Sequence, residues 1–172
     1  MKPILAELLT IGDEILYGQI VDTNSQWMSA ELDKAGIKVI RKTSVGDVEE
    51  EILNAFAEAE KRADIILITG GLGPTSDDLT KPLLAKYFNC EMKMHAEALE
   101  EVTAFFKSRG REINETSKLQ ALLPVCCTKI TNAIGTAPGM WFERNGKVWI
   151  IGTPVKTINE ELKQEFIEFC TK

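Results

Sequence analysis

The chain has 172 residues, of which 44% are hydrophobic and 27% charged. That suits one globular domain with a sizeable core and excludes a disordered chain or one with a membrane-spanning run of eighteen apolar residues. Lysine and arginine are scattered and the net charge is -6. A nucleic-acid partner is therefore not expected, and an anionic ligand has to be held by local devices such as a metal ion, a helix N-terminus or backbone N–H groups. Glu7 comes too early for the apolar region of a signal peptide, so a cytoplasmic protein without membrane contact is expected.

In chain order, strand and helix signals alternate. Residues 4–11 read as a buried strand ending at Gly12. Thr23 or Asn24 can cap a helix that runs to about Ala35 and closes at Gly36. Residues 37–45 form the next strand. Asp47, with Glu50 three positions on, has the form of a capping box for a third segment. In that helix Ile52, Leu53, Phe56 and Ala59 share one face. Residues 64–69 hold the run Ile65-Ile66-Leu67-Ile68, which fits a strand covered on both sides. A glycine-rich break follows, then a helix from about Thr80, a longer one over 96–108 ended by Gly110, and a short one over 115–122. A short strand over 128–131 precedes two strands, 139–143 and 147–151, around the hairpin signal Asn145-Gly146. A last helix is expected from about Lys156. This order predicts a single α/β domain over residues 1–172, a three-layer α/β/α sandwich with a mostly parallel mixed sheet.

The most informative segment is Thr69-Gly70-Gly71-Leu72-Gly73-Pro74-Thr75-Ser76-Asp77-Asp78-Leu79-Thr80. Ligands bind beyond the carboxyl ends of strands in open α/β sheets, and glycines let backbone N–H groups approach an anion. The segment matches neither of the common nucleotide-binding glycine motifs, so a plain tight turn stands beside the ligand reading. Gly12-Asp13-Glu14 follows the first strand and Asp47 the second. In a parallel sheet these acids fall on the same edge as Asp78. A cluster of Asp13, Asp47 and Asp78 could hold a divalent cation that neutralises phosphate and activates water, while capping and loop solvation are the plainer uses of the same residues. Gly135-Thr136-Ala137-Pro138-Gly139 is a rigid loop that could line a pocket or simply turn the chain.

Other features support plainer readings. The four cysteines, Cys90, Cys126, Cys127 and Cys170, contain no CxxC spacing, and His95 is the single histidine, so a zinc site is not expected and the thiols read as unpaired. His95 sits at a helix start. Ser25 and Ser117 have no histidine to activate them.

Four segments in order resemble one family: residues 10–16, residues 18–24, the glycine-rich loop with Asp77, Asp78 and Thr80, and residues 135–139. They are similar to the opening domain of the competence/damage-inducible CinA proteins, of the molybdopterin-binding type shared with MogA, MoaB and MoeA. The resemblance implies a three-layer sandwich that self-associates as a dimer or trimer. It implies a metal-dependent pyrophosphatase that releases AMP from ADP-ribose, or from FAD, with magnesium, manganese or cobalt. It places Asp78 and Asp47 in catalysis, and Asp13, Asp47 and Asp78 around the metal. Ligand contacts fall to Gly70, Gly71, Gly73, Pro74, Thr75, Thr80, Gly135, Thr136, Pro138 and Gly139. The family's deamidase domain lies further on, and this chain is expected to lack it. Two segments depart from the family pattern. Ile150-Ile151-Gly152-Thr153-Pro154-Val155-Lys156-Thr157 stands where the family reads Leu-Pro-Gly-Val-Pro-x-Glu-Met, and Ser117-Lys118-Leu119-Gln120 where it often reads Asn-Arg-Lys-Gln. Adenylyl transfer to a pterin and non-catalytic binding or assembly are the competing functions.

Overall fold

The computed structural model describes residues 3–132 and 134–152. The expected last helix, Cys170 and the altered positions Lys156 and Thr157 lie outside these described residues.

The order is β1 (Leu5–Ile11), α1 (Asp13–Leu16), α2 (Thr23–Lys34), β2 (Lys38–Val45), α3 (Glu49–Arg62), β3 (Ile65–Thr69), α4 (Thr80–Tyr87), β4 (Met92–Met94), α5 (Ala96–Ser108), α6 (Glu115–Lys118), a single 3-10 turn (Leu119–Ala121), β5 (Leu122–Pro124), β6 (Thr128–Ile130), β7 (Gly139–Arg144) and β8 (Lys147–Ile151). Six strands form one sheet in the order β2-β1-β3-β8-β7-β6. The pairs β2-β1, β1-β3 and β3-β8 are parallel, and β8-β7 and β7-β6 are antiparallel. The mostly parallel mixed sheet is the one expected.

Side-chain alternation builds two apolar layers. Leu9, Ile11, Ile66, Ile68, Phe142 and Trp149 pack with Ile52 and Phe56 of α3 and Leu84 of α4. Ala6, Leu8, Ile65, Leu67, Val148 and Ile150 face the other way, onto Met28 and Leu32 of α2. All five residues of β3 are buried, which explains its unbroken apolar run. The expected face of α3 is borne out, with Ile52, Phe56 and Ala59 buried and Leu53 packed at the margin. Glu7 on β1 is fully buried and accepts two hydrogen bonds from the Arg62 guanidinium, at 2.9 and 3.0 Å. The hairpin is tight: Arg144 pairs with Lys147 across Asn145 (φ 54°) and Gly146 (φ 70°), the left-handed pair that a type I′ turn needs.

Several expectations are corrected. The N-cap of α2 is Asp22, whose carboxylate accepts from the Ser25 N–H at 2.9 Å, and not Thr23 or Asn24. Asp47 does not cap α3: the N-cap position is Val48, with no side-chain cap, because the Asp47 carboxylate points to Asp13. The expected helix over 115–122 stops at Lys118 and gives way to a 3-10 turn and β5. The antiparallel pair β4-β5 and the one-turn α1 carried no sequence signal, being only three and four residues long. Cys90 and Cys126, read as unpaired thiols, form a disulfide beside the β4-β5 pair. The two lie 36 residues apart, a spacing that advertises nothing. Cys127 is free, and burial pushes its thiol pKa up to about 11. His95 is the N-cap of α5, its Nδ1 accepting from the Ala98 N–H.

Candidate functional site

Chain order and sheet order reverse at β1. The chain leaves β1 for β2 on one side and returns to β3 on the other, which makes the carboxyl edge between β1 and β3 the switch point of the sheet. Gly12-Asp13 and the glycine-rich loop both emerge there. Their backbones touch: a Cβ on Gly70 (φ +94°) would run into the Ile11 carbonyl.

Side-chain staples fix the shape of the loop after β3. Thr80, fully buried, donates its hydroxyl to the Gly70 carbonyl at 2.8 Å, and its N–H donates to the Gly71 carbonyl at 3.2 Å. Asp78 Oδ1 accepts from the Gly73 N–H at 2.8 Å, and Oδ2 accepts from the N–H and hydroxyl of Thr75. Thr69, at the end of β3, is reached by the Asn24 amide at 3.4 Å. The backbone of 70–78 is thus held from both ends, which fixes the direction of its N–H groups before any ligand arrives.

A cavity of about 540 Å³ lies between this loop and the second glycine-rich loop, 135–139. Gly70, Gly71 and Gly73 form one wall, Gly135 and Thr136 another, and Gln120 and Asn132 contribute the polar side chains. Asn132 closes its own loop, its amide donating to the Ala137 carbonyl at 2.8 Å and its carbonyl oxygen accepting from the Ile134 N–H at 3.1 Å. The two motifs expected to hold a ligand therefore face each other across one space. The other expected contacts divide. Pro74 and Thr75 lie further along the first loop, outside the cavity wall. Thr80, Pro138 and Gly139 are buried beneath the loops. A Cβ on Gly139 would stand 3.0 Å from that of Ile130, so this glycine serves strand packing.

The acids do not gather as expected. Asp13 and Asp47 lock reciprocally: the Asp13 N–H donates to Asp47 Oδ2 at 3.1 Å and the Asp47 N–H to Asp13 Oδ1 at 3.2 Å. Asp78 is turned into its own loop, with both oxygens accepting hydrogen bonds. Among the described residues no three Asp, Glu, His or Cys side chains come together to hold a metal ion. The Asp47 carboxyl titrates above its ordinary range. Burial is the main cause; the Asp13 N–H opposes it, and the charges of Asp13, Glu14 and Asp77 reinforce it. A raised folded-state pKa means that ionised Asp47 weakens the fold, an effect absent below the unfolded pKa and growing as pH rises through the folded one. Asp47→Asn keeps an oxygen for the Asp13 N–H and removes the charge. At pH 7 it is expected to stabilise the fold by no more than about 0.5 kcal/mol after solvent screening, with the gain gone below about pH 4. Urea unfolding of both proteins at the two pH values measures this.

Two residues with no local signal complete the site. Lys81 stands in the first turn of α4 and is only 4% exposed. Its Nζ donates to the carbonyls of Leu119 and Gln120, both at 3.2 Å, and to Gln120 Oε1 at 3.5 Å. Burial lowers its pKa to about 8, against the opposing charge of Asp78. Nothing in the sequence Thr80-Lys81-Pro82 shows which side the lysine takes, and Gln120 could be found only through the departure from the family pattern around it.

Residues 7–164 match the family model described as "Probable molybdopterin binding domain". The solved structure of the protein CinA from Thermoplasma acidophilum superposes with a TM-score of 0.79 at 32% identity, covering 98% of both chains. The chain belongs to the CinA-like members of the molybdopterin-binding domain family. A CinA-like protein of Cytophaga hutchinsonii is 55% identical over 147 residues, 86% of this chain and 35% of that protein. A CinA-like protein of Flavobacterium psychrophilum is 43% identical over 145 residues, again 35% of its length. This CinA-like chain thus spans about a third of those curated relatives. The MoaB protein of Pyrococcus furiosus, at 20% identity and a TM-score of 0.61 over 99% of this chain, shares the fold. Among the described residues no helix is long and apolar enough to cross a membrane.

Proposed function

We propose that this CinA-like domain binds a nucleotide diphosphate between its two glycine-rich loops and hydrolyses it to AMP, with ADP-ribose as first candidate and FAD as second. The observation that carries the reading is the cavity itself. It joins Gly70, Gly71 and Gly73, after β3, to Gly135 and Thr136, before β7, at the carboxyl edge of the parallel strands. A net charge of -6 gives an anion no general attraction, so the backbone N–H groups of a stapled glycine loop are the natural receptors.

A divalent cation fits this site on a condition. Asp13 Oδ2 and Asp47 Oδ1 have no protein partner among the described residues, whereas both Asp78 oxygens already accept hydrogen bonds from the loop. Two carboxylates suit magnesium, manganese or cobalt when phosphate oxygens complete the shell, which is how magnesium is commonly held. Bound there, the ion would supply charge neutralisation and a more acidic water. The chain's own part is to hold the diphosphate against the loop and to keep Asp13 and Asp47 locked to each other at the ends of β1 and β2.

The family description favours a second reading, a pterin in the same cavity. Incubation with ADP-ribose or FAD and each metal, with a chelator control, separates the two. AMP that appears only with metal, and falls in Asp47→Asn, supports hydrolysis. Absence of AMP with every metal, together with saturable binding of a pterin, overturns it.

A further inference from the structure

The Lys81 ammonium is buried with no carboxylate in ion-pair contact among the described residues; its neighbours from the 119–120 segment are three neutral oxygens. An ammonium only donates, so the end of the Gln120 carboxamide that turns to it is the oxygen. The other end, Nε2, has no protein acceptor among the described residues and is not sealed from solvent. Gln120 itself lines the cavity opposite the glycine loop. An unengaged N–H2 group at the wall of a cavity in an acidic protein is a receptor for an acceptor-only ligand.

We propose that Lys81 is a positioning residue that orients the Gln120 carboxamide so that Nε2 donates to a phosphate oxygen of the ligand in the cavity. The proposal rests on the diphosphate reading above. Lys81 joins the two halves of the site: it leaves α4 three residues after Asp78, which staples the glycine loop, and fastens the 3-10 turn that carries Gln120. With Lys81 removed, the carboxamide is free to rotate, and either end can face the ligand. The lowered pKa of Lys81 agrees with a cation held for geometry in a dry place.

The test is a titration of the nitrogen-15-labelled full chain with inorganic pyrophosphate and, separately, ADP-ribose, with magnesium present, reading the Gln120 side-chain amide pair. That pair is assigned by its loss in Gln120→Leu. The expected results are a saturable shift of the pair in the wild type and a dissociation constant weakened about 10-fold in Gln120→Leu, the size of one lost hydrogen bond to a charged group. Lys81→Met should weaken binding by a similar factor, the double variant no further, and Lys81→Arg should recover part of the loss. An unmoved Gln120 amide at saturation, wild-type affinity in folded Lys81→Met, or no binding of either probe overturns the proposal. If Lys81→Met does not fold, Lys81→Gln takes its place, and wild-type affinity in it overturns the proposal in the same way. Binding with a shifted amide but no AMP overturns hydrolysis alone, whereas AMP release with an unmoved amide overturns this role alone.

Discussion

Gly70→Ala is expected to cost more than about 3 kcal/mol of stability, the largest loss of any glycine-to-alanine change in the chain. Two penalties add. At φ +94° the backbone lies in a region that side-chain-bearing residues rarely adopt, which costs about 1–2 kcal/mol. The new Cβ would also run into the carbonyl of Ile11, a backbone atom at the end of central strand β1, which cannot move without disturbing its pairing with β2 and β3. Two other glycines calibrate the prediction. Gly18→Ala has the same sign of φ, at +70°, and open space around its Cβ, so it should show the backbone penalty alone. Gly71→Ala would place its Cβ 2.5 Å from the Thr80 hydroxyl, a side chain that can turn away only by releasing the Gly70 carbonyl. It should fall between them. Urea unfolding of the three variants orders them, and a Gly70→Ala protein as stable as Gly18→Ala would refute the close approach of the two loops.

That close approach also marks how far the sequence could be read. The glycine loop, the buried strands around it and the hairpin were legible because each is announced within a few residues: an unbroken apolar run for β3, three glycines after it, Asn145-Gly146 between two strands. The common edge of the loops after β1, β2 and β3 followed from the parallel sheet, whereas the 135–139 loop had no assigned place until the sheet order was known. What was not legible depends on residues far apart in the chain. Asp47 looks like a cap from its spacing to Glu50, but Asp13, 34 residues away, offers its N–H and wins the carboxylate. Asp78 looks free to join a metal cluster until the loop folds back and supplies three donors of its own. Lys81 carries a charge that argues for solvent, and only the 3-10 turn at 119–121, with its two carbonyls and the Gln120 oxygen, makes burial tolerable. The disulfide joins positions whose neighbours in sequence say nothing of each other.

The second large effect belongs to Asp78, and it distinguishes a clamp from a metal ligand. Asp78→Ala leaves the N–H groups of Gly73 and Thr75 and the Thr75 hydroxyl without their acceptor. Thr75 is exposed, so water replaces part of the loss, and stability should fall by only about 1–2 kcal/mol. Function should fall much further. The N–H groups of the loop would no longer be aimed, and the ligand would have to order them on binding. A penalty of about 3 kcal/mol on the bound state corresponds to AMP release reduced on the order of 100-fold. Asp78→Asn keeps one acceptor oxygen, but its N–H2 meets a second donor where the carboxylate accepted, so it should be intermediate. The clamp also predicts that backbone amide exchange at Gly73 and Thr75 quickens in Asp78→Ala while metal affinity in the presence of ligand follows Asp47 instead. A metal ligand gives the opposite pair: Asn and Ala equally inactive, loop exchange unchanged, and metal binding lost in both. Hydrogen exchange and metal titration on the same two variants therefore assign the residue. The geometry, with both Asp78 oxygens engaged inside residues 73–78 and open oxygens on Asp13 and Asp47, predicts the clamp.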